Sequence, residues 1–269
     1  MQIIRFIDNS NNVLLGCDFR DGKASLIEGD IFDGGKIIDK TAVVKQVLAP
    51  IEPPAVFCIG LNYTMHARET GMPLPEHPVI FMKNPASVTG PGQNIEIPGA
   101  CKRGPEVDFE AELVVVIKKK AKNVTRENAL DYVLGYTCGN DVSARRWQKH
   151  AGGGQWVRGK SFDTFCPLGP CIVTADEIRD PNALDIECRL NNETVQKSST
   201  SDMIFSVPEL VAYISESTTL LPGTLILTGT PSGVGFTRKP PVFLKPGDFL
   251  ETEIQKIGIL DNPVAAEKV

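Results

Sequence analysis

The stretch Val107-Asp108-Phe109-Glu110-Ala111-Glu112-Leu113-Val114-Val115-Val116-Ile117 decides the fold. Its second half, Leu113 to Ile117, is an unbroken apolar run of strand length, as expected of a strand covered on both faces. Its first half sets acids at alternate positions, and alternate side chains of a strand share one face. Glu110 and Glu112 would stand roughly 7 Å apart and converge on one cation. In isolation the pattern also fits a solvated strand face. The adjoining apolar pentapeptide argues against that, because unpaired acids near an interior are costly without a cation or donors to compensate them.

Downstream, Gly139-Asn140-Asp141-Val142-Ser143-Ala144-Arg145 supplies another acid where a strand turns into a loop. On spacing alone, Asp141 serves equally well as a cap of the following turn or as a third ligand. Hard oxygen donors of this kind suit Mg²⁺, Mn²⁺ or Ca²⁺ far better than Zn²⁺.

Upstream, residues 1–50 alternate short apolar and polar groups, with turns expected at Asn9 to Asn12, Asp21-Gly22 and Asp33 to Gly35. They read as a small β-rich N-terminal domain. A proline-marked joint, Ala49 to Pro54, separates it from a catalytic domain over residues 51–269. There, strands are expected at Ala55 to Gly60, Leu184 to Leu190 with a hairpin turn at Asn191-Asn192, Thr224 to Thr228, and Phe249 to Ile254. Helical spacing marks Arg126 to Val133 and Val207 to Ser217. With 24 Gly and 20 Pro among 269 residues, many turns and few helices point to an α+β fold.

The formal charge of −5, without a basic stripe, excludes nucleic acid as a partner; Lys118 to Lys120 read as the solvated end of a strand. Seven scattered cysteines without a CxxC pair read as reduced, buried thiols. MQIIRFIDNS has neither a secretory core nor an Arg-rich amphipathic pattern, and no apolar stretch approaches the length of a membrane helix. A cytoplasmic protein is expected.

Several motifs stand in order along the chain: Ile59-Gly60-Leu61-Asn62-Tyr63 with His66 and Glu69, Glu110-Ala111-Glu112, Asn140 to Arg145, Gly159-Lys160-Ser161-Phe162-Asp163, and Leu227-Thr228-Gly229-Thr230-Pro231. From about residue 50 onward this set resembles the fumarylacetoacetate hydrolase family, in particular its smaller, domain-containing branch. The resemblance implies a mixed β-roll catalytic domain, a homodimer, and Mg²⁺ or Mn²⁺ held by Glu110, Glu112 and Asp141. The founding enzyme's additional aspartate ligand, near the Asn62 segment, has no matching acid here.

The resemblance further implies a small 2-oxo acid substrate whose enolate the cation stabilises. His66 and Glu69, three apart on one helix face, would activate water, whereas without the resemblance they read as surface residues. Lys160 would assist the enolate, and Arg145, Gln148, Thr230 and Lys83 would contact substrate. Arg145 alternatively reads as the structural partner of an acid. Hydrolytic carbon–carbon cleavage of a 2,4-diketo acid is the leading expectation. The alternatives are oxaloacetate keto–enol tautomerisation or β-keto acid decarboxylation, and last a silent metal-binding scaffold.

Overall fold

The computed structural model describes residues 1–268. The chain opens with four antiparallel strands, β1 (Gln2–Asp8), β2 (Val13–Arg20), β3 (Lys23–Glu28) and β4 (Lys36–Leu48). Asp21 and Gly22 join β2 to β3 with φ of 51° and 73°, the left-handed pair that a tight hairpin turn demands. Because β1 and β3 each pair with both β2 and β4, these strands close on themselves.

Next come β5 (Val56–Gly60), α1 (Thr64–Thr70), β6 (Val79–Lys83), β7 (Val88–Thr89), β8 (Ile95–Ile97), β9 (Val107–Asp108) and β10 (Ala111–Ile117). They are followed by β11 (Val133–Asn140), β12 (Ser143–Ala144), α2 (Arg145–Lys149), α3 (Trp156–Lys160) and β13 (Cys166–Thr174). The remainder holds β14 (Asp185–Leu190), β15 (Glu193–Ser199), α4 (Val207–Ser215), β16 (Leu225–Leu227), β17 (Phe249–Ile254) and β18 (Gly258–Ala266). The large sheet runs β2-β3-β4-β1-β13-β11-β10-β16-β5-β6, with β7 beside β13; a second runs β15-β14-β17-β18-β8. Parallel pairs such as β5 with β16 sit among antiparallel ones such as β10 with β11, so the fold is mixed α+β.

The centre of the large sheet packs on the second sheet, β10, β11 and β13 against β14, β17 and β18. Strand alternation sends Ala111, Leu113, Val115 and Ile117 into the core between the sheets. Val114 and Val116 enter a separate apolar cluster with Cys58, Phe81, Leu225 and Leu227. All residues of Leu113 to Ile117 are fully buried, each contributing about 1.5–3 kcal/mol of hydrophobic stabilisation. Glu112 shares the face of Val114, and that parity carries its carboxylate to the sheet's opposite side.

The helical reading of Arg126 to Val133 gives way to a 3₁₀ segment over Arg126–Tyr132. Thr125 supplies no side-chain cap, and Val133 already belongs to β11. α4 forms where the spacing placed it, opened by a reciprocal capping box between Ser206 and Glu209. β13 had no local signal: Pro167, Gly169 and Pro170 oppose a strand until β1, β7 and β11 complete its edges.

Candidate active site

Register assembles the acids. β10 and β11 pair Glu112 with Gly139 and Ala111 with Asn140, so Glu110 and Asp141 meet where the two strands end. The Asp141 amide donates to the Glu110 carbonyl at 2.8 Å, and the Glu110 amide to Asn140 Oδ1 at 2.9 Å. Glu110, Glu112 and Asp141 thereby bring one oxygen each within 4.8 Å of one another, all three buried. The Asp141 carboxylate does not cap the following turn; it accepts from two lysines instead.

Lys160 donates to Asp141 Oδ2 at 2.5 Å, Ser143 Oγ at 2.7 Å and Glu110 Oε2 at 3.1 Å. Lys83 donates to Asp141 Oδ1 at 2.5 Å and to the Val142 carbonyl at 3.1 Å. Arg145 bridges Asp108 and Glu110, each at 2.7 Å, and donates to Gln148 Oε1 at 3.0 Å. Burial alone would lift the Glu110 carboxyl, but Lys160 and Arg145 outweigh it and hold the group well below the ordinary range. Lys160 is likewise held charged: burial opposes its ammonium, and Asp141 and Glu110 overcome that.

Glu112 is the exception. Its Oε2 accepts from the Gly229 amide at 2.6 Å, whereas Oε1 is buried without a hydrogen-bond partner. Burial, then the charges of Asp141 and Glu110, push its carboxyl well above the usual value. An orphaned carboxylate oxygen facing two further carboxylates is what a hard divalent cation satisfies, so the residues present fit Mg²⁺ or Mn²⁺. The ion pairs to lysine leave each carboxylate oxygen a second lone pair for coordination.

A cavity of about 240 Å³ opens onto this cluster and is lined by His66, Glu110, Arg145, Gln148, Lys160 and Thr230. α1 presents His66, whose Nδ1 lies 3.0 Å from Glu69 Oε2. Glu69 Oε1 accepts from the Gly233 amide and Thr237 Oγ1, each at 2.9 Å, and these bonds with His66 outweigh burial to hold its carboxyl low. Thr230 Oγ1 accepts from Gln196 at 2.8 Å. Lys83, expected to touch substrate, is buried behind Asp141 and does not line the cavity. Lys149 and Trp156, the ends of a glycine-rich segment that the sequence places over the site, also line it, as does Phe236, for which the sequence offered no signal.

One loop ties the site together. Gly229 to Thr237 gives amides to Glu112 from Gly229, to Glu69 from Gly233, and to Asp108 from Gly235 and Phe236. Gly229 has φ of 100°, and a Cβ there would lie 2.7 Å from Asn62 Cβ, so only glycine brings this amide to Glu112.

The chain is similar to a known family and to several of its members. The family described as fumarylacetoacetate (FAA) hydrolase C-terminal matches residues 55–265. The mitochondrial oxaloacetate tautomerase fahd2 of Xenopus laevis is 52% identical over 220 residues, covering 81% of this chain and 68% of that protein. The fumarylacetoacetate hydrolase domain-containing protein 2 homolog of Dictyostelium discoideum is 50% identical over 228 residues, covering 81% and 74%. The crystal structure of 2-hydroxyhepta-2,4-diene-1,7-dioate isomerase from Mycobacterium marinum superposes over 100% of both chains, with TM-score 0.85 and 38% identity. The expected cytoplasmic location is overturned, because the Xenopus, Bos taurus and Homo sapiens relatives are named as mitochondrial. Free cysteines and modest charge do not discriminate between compartments. The fold, the register-built carboxylate cluster and these matches together establish that the chain belongs to the fumarylacetoacetate hydrolase family, in its smaller, domain-containing branch.

Proposed function

We propose that this chain is a divalent-metal-dependent tautomerase of small 2-oxo dicarboxylic acids, interconverting the keto and enol forms of oxaloacetate. The observation that supports the reading is that His66, Lys160 and Glu110 line one cavity of about 240 Å³ beside the buried carboxylates of Glu112 and Asp141. Pockets for drug-sized ligands begin at about 300 Å³, so this space suits a four-carbon acid. The names of the tautomerase and isomerase relatives, both acting on dicarboxylic acids, support the same reading.

When bound at Glu110, Glu112 and Asp141, Mg²⁺ or Mn²⁺ would polarise the 2-oxo group and stabilise enolate charge. His66, with Nδ1–H donated to Glu69, keeps the Nε2 lone pair as a base for the C3 proton. Lys160, held as an ammonium beside Glu110 and Asp141, supplies positive charge that favours the developing enolate. Thr230 and Gln148 orient the substrate at the cavity wall. Hydrolytic cleavage of a diketo acid, the leading expectation from the motifs, requires an attacking water in addition. The His66–Glu69 pair is also the geometry that activates a water, which keeps that second reading testable.

The experiment follows the enol absorbance of oxaloacetate with Mg²⁺ present, alongside product analysis with acetylpyruvate. Accelerated enol decay without loss of carbon, abolished in His66→Ala, is the expected outcome. Enol decay at the buffer rate, with stoichiometric cleavage of acetylpyruvate, would overturn the tautomerase reading in favour of the hydrolase. The same proposal includes the mitochondrial location named for the relatives and a homodimer, which light scattering checks.

A further inference from the structure

We infer that Lys149 sets substrate specificity in this site by receiving the distal carboxylate of a 2-oxo dicarboxylic acid. The inference rests on the reading above and names the half of the substrate that the carboxylate cluster does not reach.

Three cations line the cavity, and two are already committed. Lys160 is spent on Asp141, Glu110 and Ser143, and Arg145 on Asp108, Glu110 and Gln148. Lys149 forms no ion pair and no side-chain hydrogen bond to any described residue. Its Nζ instead rests 3.5 Å from the centroid of the Phe236 ring. The Arg145 guanidinium lies 4.5 Å from the same ring. A ring quadrupole attracts a cation but supplies no counter-charge. Lys149 is therefore exposed to solvent at the cavity, placed by Phe236 and without an ion-pair partner among the described residues.

The placement follows from α2. Arg145 and Lys149 are four apart on a helix, so they share a face, with Lys149 displaced along the axis by about 6 Å. Arg145 contacts Glu110 and marks the cluster end of the cavity. Lys149, one helical turn further along α2 and exposed, lines the same cavity without contacting the carboxylate cluster, where it can meet the second carboxylate of a short diacid. Partial burial, then the Arg145 charge, depress the Lys149 ammonium, with Glu110 and Asp108 opposing them.

The test separates this inference from the tautomerase reading by measuring binding of two acids that are not turned over. Malate and lactate both offer a 2-hydroxy carboxylate to a metal, and only malate has the distal carboxylate. Calorimetric titration of the Mg²⁺-loaded protein is expected to show malate bound more tightly than lactate. In Lys149→Met that preference is expected to fall about tenfold, the loss for one partly solvated charged hydrogen bond, with Lys149→Arg retaining most of it. In turnover, the same variant raises KM for oxaloacetate about tenfold and leaves kcat within twofold. A malate-to-lactate ratio unchanged in Lys149→Met, or equal weakening of both acids, would overturn the assignment. A ratio that collapses as expected while oxaloacetate enol decay stays at the buffer rate sustains Lys149 and refutes the tautomerase.

Discussion

Glu112 keeps one oxygen on the Gly229 amide and leaves the other buried without a partner. A carboxyl whose pKa is raised in the folded chain holds a proton that the unfolded chain has released. Its penalty on folding is absent below the ordinary carboxylate value and grows as pH rises toward the raised one. Glu112→Gln is therefore expected to stabilise the metal-free protein by about 1–3 kcal/mol at neutral pH, with a smaller gain in acid, read from urea midpoints in chelator. The same substitution is expected to abolish the thermal shift caused by Mg²⁺. Lys83→Met acts the other way: it leaves Asp141 short of a buried counter-charge and is expected to cost about 3–5 kcal/mol in a urea titration. At this scale the sequence was informative where neighbours in the chain are neighbours in space. Glu110 and Glu112 could be read from alternation set against the adjoining apolar run Leu113 to Ile117. Lys149 could not, because its environment comes from Phe236, far along the chain.

Among the elements, β10 and β11 carry the site because their shared register ends at Glu110 and Asp141. Apolar runs and hairpin turns made β5, β10, β14, β16 and β17 legible, and Asn191 and Asn192, with φ of 54° and 68°, turn where the sequence placed a hairpin. β13 was illegible because its strand state comes from three partners rather than its own residues. α1 was legible as a helix face through His66 and Glu69, yet its docking was not. Glu69 holds the Gly229–Thr237 loop as firmly as it holds His66. Glu69→Gln is expected to lower kcat for enol decay by about 10²-fold, the scale of a lost acid–base contribution, with a smaller change in KM. α4 offers a structural control: Ser206→Ala removes the capping hydroxyl and is expected to cost about 1 kcal/mol in a thermal melt without altering turnover.

For the whole molecule, metal affinity and fold stability are one linked quantity, since the ligand cluster exists only when β10 and β11 are paired. Mg²⁺ at about a hundred times its Kd is expected to add about 2.7 kcal/mol, visible as a rise of roughly 5–10 °C in Tm. The proposed dimer has a candidate seam at β6, an edge strand with Val79, Ile80 and Met82 exposed. Ile80→Lys is expected to shift light-scattering mass from dimer to monomer. The loop from Gly229 to Thr237 has a further use. Its Gly229, Gly233 and Gly235 amides rest separately on Glu112, Glu69 and Asp108, the first and last from the β9–β10 stretch and Glu69 from α1. Three nitrogen–proton resonances from one short segment thus become independent reporters of cation loading, base protonation and arginine placement, readable in a single spectrum without any substrate.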